Sequence, residues 1–249
     1  MINQTIEKLS ELRLRGFVQG VREQLEDSKY NELSFEQRLA MLVDREHLRR
    51  ENSRLSRRLS QARLKQSATI ENINFQIPRK LKKALLLDLA SGSWIHNKHN
   101  LFITGPTGIG KSYIACALAD KACRLGFSAL YIKTSNLIPQ LLLARADGSY
   151  PSLATKLAKV QLLLIDEWLR DPLTESQARE LQDIIDDRYG VSSSIFISQL
   201  KVKDWHKNIS DPTIADAILD RIVHNAIKMD LDGESVRKLT SMLKQTDKV

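Results

Sequence analysis

The sequence predicts an α/β fold: a parallel sheet flanked by helices, preceded by a small all-helical region. Three observations predict it. Gly105-Pro106-Thr107-Gly108-Ile109-Gly110-Lys111-Ser112 follows a short apolar run at 101–104 and opens onto Tyr113 and a stretch of helical composition. From residue 100 onward, short apolar runs alternate with longer amphipathic stretches, the mark of parallel strands joined by crossover helices. Residues 1–66, in contrast, carry apolar residues at three- and four-residue spacing and no strand pattern.

The glycine stretch has the form G-x-x-x-x-G-K-S, and its context between a strand and a helix makes it a phosphate-binding loop. Glycines let the backbone curl so that its N–H groups converge, and the helix N-terminus adds the positive end of its dipole. Lys111 would reach the β- and γ-phosphates, and Ser112 would hold a magnesium ion.

At 249 residues the chain has room for a large domain and a smaller one, and we place these at 67–249 and 1–66. Hydrophobic residues make up 42%, enough for a substantial core, and the net charge of +8 favours an anionic partner, most simply nucleic acid. Cys116 and Cys123 have neither zinc spacing nor a disulfide framework, so both read as small buried apolar residues. The first twenty residues have no continuous apolar stretch and no run is long enough to span a membrane; a cytoplasmic protein is expected.

Taken in order, Ile6, Leu9, Leu12 and Leu14, then Phe17, Val18, Val21 and Leu25, mark a first helix, which Gly16 and Gly20 are expected to weaken or kink. After a break at 27–33, Ser34 and Gln37 form a capping box for a second helix. One side of that helix is strongly basic: Arg45, Arg49, Arg50, Arg54, Arg57, Arg58, Arg63 and Lys65 stand against Glu46 and Glu51. Like charges four apart repel, so Arg45/Arg49, Arg50/Arg54 and Arg54/Arg58 call for an anion. DNA phosphates would supply it, which makes Arg45, Arg49, Arg50, Arg54, Arg57, Arg58 and Lys65 candidate DNA contacts; a merely solvated face is the alternative. The segment 67–100, with a short helix at 81–89, leads into the core and is expected to help enclose an adenine. Further strands follow at 129–132, 162–165, 194–197 and 226–231, with helices at 136–145, 173–189 and 234–244 and a loop at 148–151.

Hydrolysis of a bound triphosphate needs a metal ligand and a group that activates water. The buried run 162–165 ends in Asp166-Glu167, which suits Asp166 to the magnesium side and Glu167 to polarising the attacking water. Arg221 and Arg237 are candidates for stabilising charge on the γ-phosphate, Arg221 as a finger and Arg237 as a phosphate sensor.

The glycine loop, residues 162–167, Ser198-Gln199, Asp220-Arg221-Ile222 and Gly233-Glu234-Ser235-Val236-Arg237 together resemble the AAA+ ATPases of the DnaC/IstB branch. Ser34-Phe35-Glu36-Gln37-Arg38-Leu39 and Asp44-Arg45-Glu46 resemble IstB more narrowly, and the likeness runs from about residue 5 to 245. It implies an ATPase using ATP and Mg2+ that multimerises on duplex DNA and assists or regulates a cognate transposase. A basic helical domain that holds the backbone without base readout would capture DNA largely without regard to sequence. Lys111 and Ser112 match its Walker A positions, and Asp166 and Glu167 its Walker B positions. Ser198-Gln199 falls at sensor 1, where Asn or Thr is usual, and either residue could face the γ-phosphate. Arg221 matches a finger acting on a neighbouring subunit and Arg237 matches sensor 2, while the C-terminal helical lid of many AAA+ proteins is reduced or absent. The alternatives are a DnaC-type replicative-helicase loader and an architectural DNA-binding protein for which nucleotide is a structural ligand; Glu167 argues against the second.

Overall fold

The computed structural model describes residues 2–236 and 238. The chain forms two compact units, Met1–Arg57 and Arg58–Val249. The division falls inside the long helix α3, whereas the composition breaks only where that helix ends.

The first unit holds α1 (Ile2–Glu11), α2 (Arg15–Glu26) and most of α3 (Phe35–Ala62). The glycines do not break a helix here. The chain turns between α1 and α2 with Arg13 at φ 59°, and Gly16 and Gly20 let α3 approach α2 closely. A Cβ on Gly20 would lie 2.6 Å from Leu42 Cδ2, and one on Gly16 3.0 Å from Glu46 Oε2. That carboxylate accepts from the amides of Gly16 at 2.7 Å and Phe17 at 3.2 Å, capping α2 from its neighbour. The capping box of α3 forms, with Ser34 N–H donating to Gln37 at 2.9 Å and Gln37 N–H to Ser34 Oγ at 3.3 Å.

The repulsion expected along α3 is relieved within this unit. Arg45 pairs with Glu23, Arg49 and Arg50 with Glu46 at 2.8 and 2.7 Å, and Arg54 with Glu51 at 3.5 Å. Three acids on α2 and α3 thus pair with these four arginines and offset most of their charge.

The second unit is a five-stranded, wholly parallel sheet in the order β2-β3-β4-β1-β5. Its strands are β1 (Asn100–Thr104), β2 (Ala129–Lys133), β3 (Leu162–Asp166), β4 (Ser193–Ser198) and β5 (Ala226–Asp230). Between and beside them run α4 (Lys83–Ala90), α5 (Ser93–His96), α6 (Lys111–Arg124), α7 (Thr134–Asp147), α8 (Tyr150–Lys159), α9 (Glu175–Arg188) and α10 (Pro212–Val223). Helices cover both faces, so β3 and β4 are buried at every residue and read in sequence as continuous apolar runs. Helix α8 was not expected: Gly148 ends α7 in the left-handed region, and Pro151 opens the next helix, where its missing N–H costs nothing. The expected helix at 234–244 and the reduced lid lie mostly outside the described residues.

Phe102, Trp168, Phe196 and Trp205 pack edge to face behind the carboxyl ends of β1, β3 and β4. Buried Arg188 ties the end of α8 to the start of β4, donating to the carbonyls of Leu157, Val160 and Ser193 and to Ser194 Oγ. Both cysteines are free and buried, as expected. No described helix is long and apolar enough to cross a membrane.

Arg49, together with Arg50 and the two amides, holds the Glu46 carboxyl down at about 2, against an ordinary 4.5. A depressed carboxyl stabilises the fold above its unfolded value and ceases to as pH falls through the folded one. The first turn of α2 is thus expected to lose protection between about pH 4.5 and 2. Glu46→Gln should destabilise this unit by about 1–2 kcal/mol at neutral pH. Hydrogen exchange at the Gly16 and Phe17 amides measures both; exchange unchanged in the variant would remove Glu46 from the cap.

Candidate active site

The sheet order puts β4 between β1 and β3, so the ends of these three strands form one edge. The glycine loop leaves β1, Asp166-Glu167 close β3, and Ser198-Gln199 close β4. A cavity of about 490 Å³ lies there, within the size range of small-molecule sites, lined by Lys111, Ser112, Asp166, Glu167 and Gln199. Thr107, Gly108, Gly110 and Tyr113 complete the loop's share of the lining.

The loop conformation depends on its glycines. Gly105 sits at φ 142°, and a Cβ there would run into the carbonyl oxygen of Leu231, which the Leu231 N–H to Thr104 bond of 2.8 Å holds in place. Gly110, at φ 100°, lies under the Arg79 guanidinium, 2.6 Å from where its Cβ would be. Arg79 donates to the carbonyls of Ile109 at 3.2 Å and Asn74 at 3.0 Å, joining the segment before α4 to the loop. Pro106 and Gly105 present their carbonyls to Lys111 Nζ at 2.9 and 2.6 Å.

Asp166 is 4% exposed and heavily bonded. Its Oδ2 accepts from Ser112 Oγ at 2.8 Å and from the Tyr131 hydroxyl, with Lys65 Nζ at 3.6 Å, while Oδ1 accepts from the Glu167 amide at 2.8 Å. Burial, reinforced by the Asp166 carboxylate, pushes the Tyr131 phenol far up, so it stays a donor. Glu167 sits at φ 60°, a conformation that a non-glycine residue adopts at a cost and that here turns the chain sharply after β3. Its two oxygens are taken separately, Oε1 by Lys133 and Oε2 by Arg170, each at 2.8 Å.

Ser198 and Gln199 separate clearly. Ser198 is 1% exposed, donates to the Trp168 carbonyl at 2.7 Å and accepts from Leu200 N–H. Gln199 lines the cavity and accepts from Thr107 Oγ1 at 2.8 Å. Arg221 is elsewhere. It lines a crevice with Asn100 and Ser194, at the amino ends of β1 and β4, and pairs through Nε with Asp186 at 2.6 Å. Arg237 is outside the described residues. Of the remaining basic candidates, Arg58 donates to the Cys123 carbonyl at 2.8 Å, and Arg57 is not engaged in any described ion pair.

The sequence reading missed Tyr131, Lys133, Arg170 and Arg79. The available signal was the alternation in β2, which puts Tyr131 and Lys133 on one side of an apolar strand. Lys133 meets Glu167 because β2 pairs with β3 in a register that sets Lys133 opposite Asp166.

The family described as IstB-like ATP binding protein matches residues 7–244. The chain belongs to this family. The insertion sequence ATP-binding protein y4pL of Sinorhizobium fredii (strain NBRC 101917 / NGR234) is 43% identical over 234 residues, which are 94% of this chain and 96% of that one. The ATP-binding protein of insertion sequence IS1162 from Pseudomonas fluorescens is 44% identical over 201 residues, 80% of this chain and 87% of the other. Among solved structures, DnaI is similar with a TM-score of 0.57 at 16% identity, covering 66% of this chain and 90% of that one. That likeness shows the fold alone, and ATP binding is what the family's description carries.

Gly105→Ala tests the loop. Its φ and the Leu231 carbonyl together should weaken nucleotide binding about ten-fold or more. Titration with a fluorescent ATP analogue, with circular dichroism to show an intact fold, reads the effect; wild-type affinity would mean the loop tolerates the side chain.

Proposed function

We propose that this protein is a Mg2+-dependent ATPase of an insertion sequence that assembles with copies of itself on duplex DNA in the cytoplasm and assists or regulates a cognate transposase. The observation that carries the hydrolytic part is the single sheet edge on which Lys111, the Ser112–Asp166 pair and Glu167 meet. The insertion-sequence part is supported by relatives named for insertion sequences that align over most of the chain at above 40% identity. The DnaI likeness, at 16%, carries no comparable weight for a helicase-loading role.

Ser112 and Asp166 would hold the magnesium, which when bound neutralises charge developing on the phosphates. One hydroxyl and one carboxylate fit an ion that keeps phosphate oxygens and water as its other ligands, and no group of three His, Cys, Asp or Glu that could hold a metal occurs among the described residues. Lys111 binds the β- and γ-phosphates. Gln199, rather than the spent Ser198, faces the γ-phosphate end. Glu167 orients the attacking water and accepts its proton, which requires Lys133 or Arg170 to release one carboxylate oxygen. Arg221 acts on the site of a neighbouring copy, and Arg237 is kept as the sensor 2 candidate.

Glu167→Gln should bind ATP as the wild type does and release phosphate about 100-fold more slowly or worse in the presence of DNA. Equal release would take Glu167 out of the mechanism. Arg221→Ala should also bind ATP normally but lose the rise in specific turnover with protein concentration, by about 10³-fold at full assembly. If dilute wild-type protein already hydrolyses at its full rate, the assignment across copies is wrong. Strand transfer by a cognate transposase, measured with and without this chain and ATP, tests the partner; no dependence on the chain would remove that role.

A further inference from the structure

Strand β2 is at the edge of the sheet, and beside it lies a surface outside the nucleotide site. Two hollows of about 290 and 560 Å³ adjoin there and share Arg63, Leu130 and Lys156 in their walls. Together they form one groove whose charged lining is Arg58, Arg63, Lys65, Lys133, Lys156 and Lys159, with no aspartate or glutamate. Three of these cations are engaged: Arg58 by the Cys123 carbonyl, Lys65 by Asp166 and Lys133 by Glu167. Arg63, Lys156 and Lys159 are exposed and have no carboxylate partner among the described residues.

The position of Lys156 and Lys159 in the last turn of α8 suits the helix dipole and would explain those two on their own. It does not explain Arg63, which stands on a different segment, at the end of α3, with φ 49°. Unlike Arg45, Arg49, Arg50 and Arg54, these three have no ion pair among the described residues. Cations gathered from separate elements without an acid among them repel, and a polyanion lying along the groove relieves that repulsion while releasing its own counterions.

We propose that this groove takes the phosphate backbone of duplex DNA, with Arg63, Lys156 and Lys159 as its contacts. The proposal rests on the DNA-binding reading above and locates it on the ATPase unit. A duplex fits better than a single strand, because stacking successive bases needs several rings and the groove offers one, Tyr131. Contacts limited to phosphates carry no sequence information.

The test is fluorescence anisotropy with a random-sequence duplex over a series of salt concentrations. Arg63→Ala/Lys156→Ala/Lys159→Ala is expected to bind at least ten-fold more weakly, with the log–log salt slope smaller by about 3 and ATP-analogue affinity unchanged. The charge-conserving set Arg63→Lys/Lys156→Arg/Lys159→Arg should retain wild-type affinity. Wild-type affinity and slope in the alanine variant would overturn the groove. So would weakened self-association with DNA affinity intact, which would make an acidic protein surface the occupant, or a preference of the wild type for single strands of equal length. A wild type that binds no duplex at all would instead sink the DNA-binding reading, and the groove with it.

Discussion

The site is organised around one buried carboxylate. Asp166 receives Ser112 from the first turn of α6, Tyr131 from β2, Lys65 from the segment after α3, and its neighbour's amide. An anion this deeply buried would cost several kcal/mol if left alone, so the donors are a condition of its being there. Their convergence follows from register. β3 sits between β2 and β4 with Asp166 opposite Lys133 on one side and Ile197 on the other. Shifting the β2–β3 pairing by one residue would turn Tyr131 and Lys133 to the other face and take these two partners from Asp166 and Glu167. Past the end of β3 the backbone N–H of Trp168 donates to the Ile197 carbonyl of β4 at 2.9 Å, continuing the pairing, while its ring packs on Phe196.

What could be read from the chain was whatever its neighbours along the chain decide. The glycine loop is consecutive, so its strand, turn and helix were legible together. Buried parallel strands are continuous apolar runs, and all five were located to within a residue or two. The same local logic misread 148–151, because Gly and Pro mark a loop until one notices that Pro is welcome in a helix's first turn. It also misread Gly16 and Gly20, where the space belongs to α3, a partner that local sequence does not name. Tyr131, Lys133, Arg170 and Arg79 were out of reach for a related reason: each acts on a group that only the strand order or the chain's return brings near.

Charge was the least legible quantity. Counting along α3 alone gave Arg45 through Arg58 too few acids, and that reasoning left out Glu23, which α2 supplies, and the ability of one buried Glu46 to serve two arginines and two amides at once. The net charge of +8 has to reside somewhere all the same. Among the described residues, some of the cations left without an acid, Arg63, Lys156 and Lys159, lie along the edge of β2, whereas four arginines of α3 are paired.

The two ends of β1 bear on why such a site would be completed only by assembly. Its carboxyl end leads into the phosphate loop, and Asn100 at its amino end lines the crevice that holds Arg221. Five extended residues span about 16 Å, too far for an arginine side chain to cover within one subunit. If Arg221 serves a γ-phosphate, that phosphate belongs to another copy. Arg221 pairs with Asp186 at 2.6 Å, and its side chain remains about one-third exposed. On the proposed reading the phosphate loop lies at one end of the sheet and Arg221 at the other, so the two would meet only between copies.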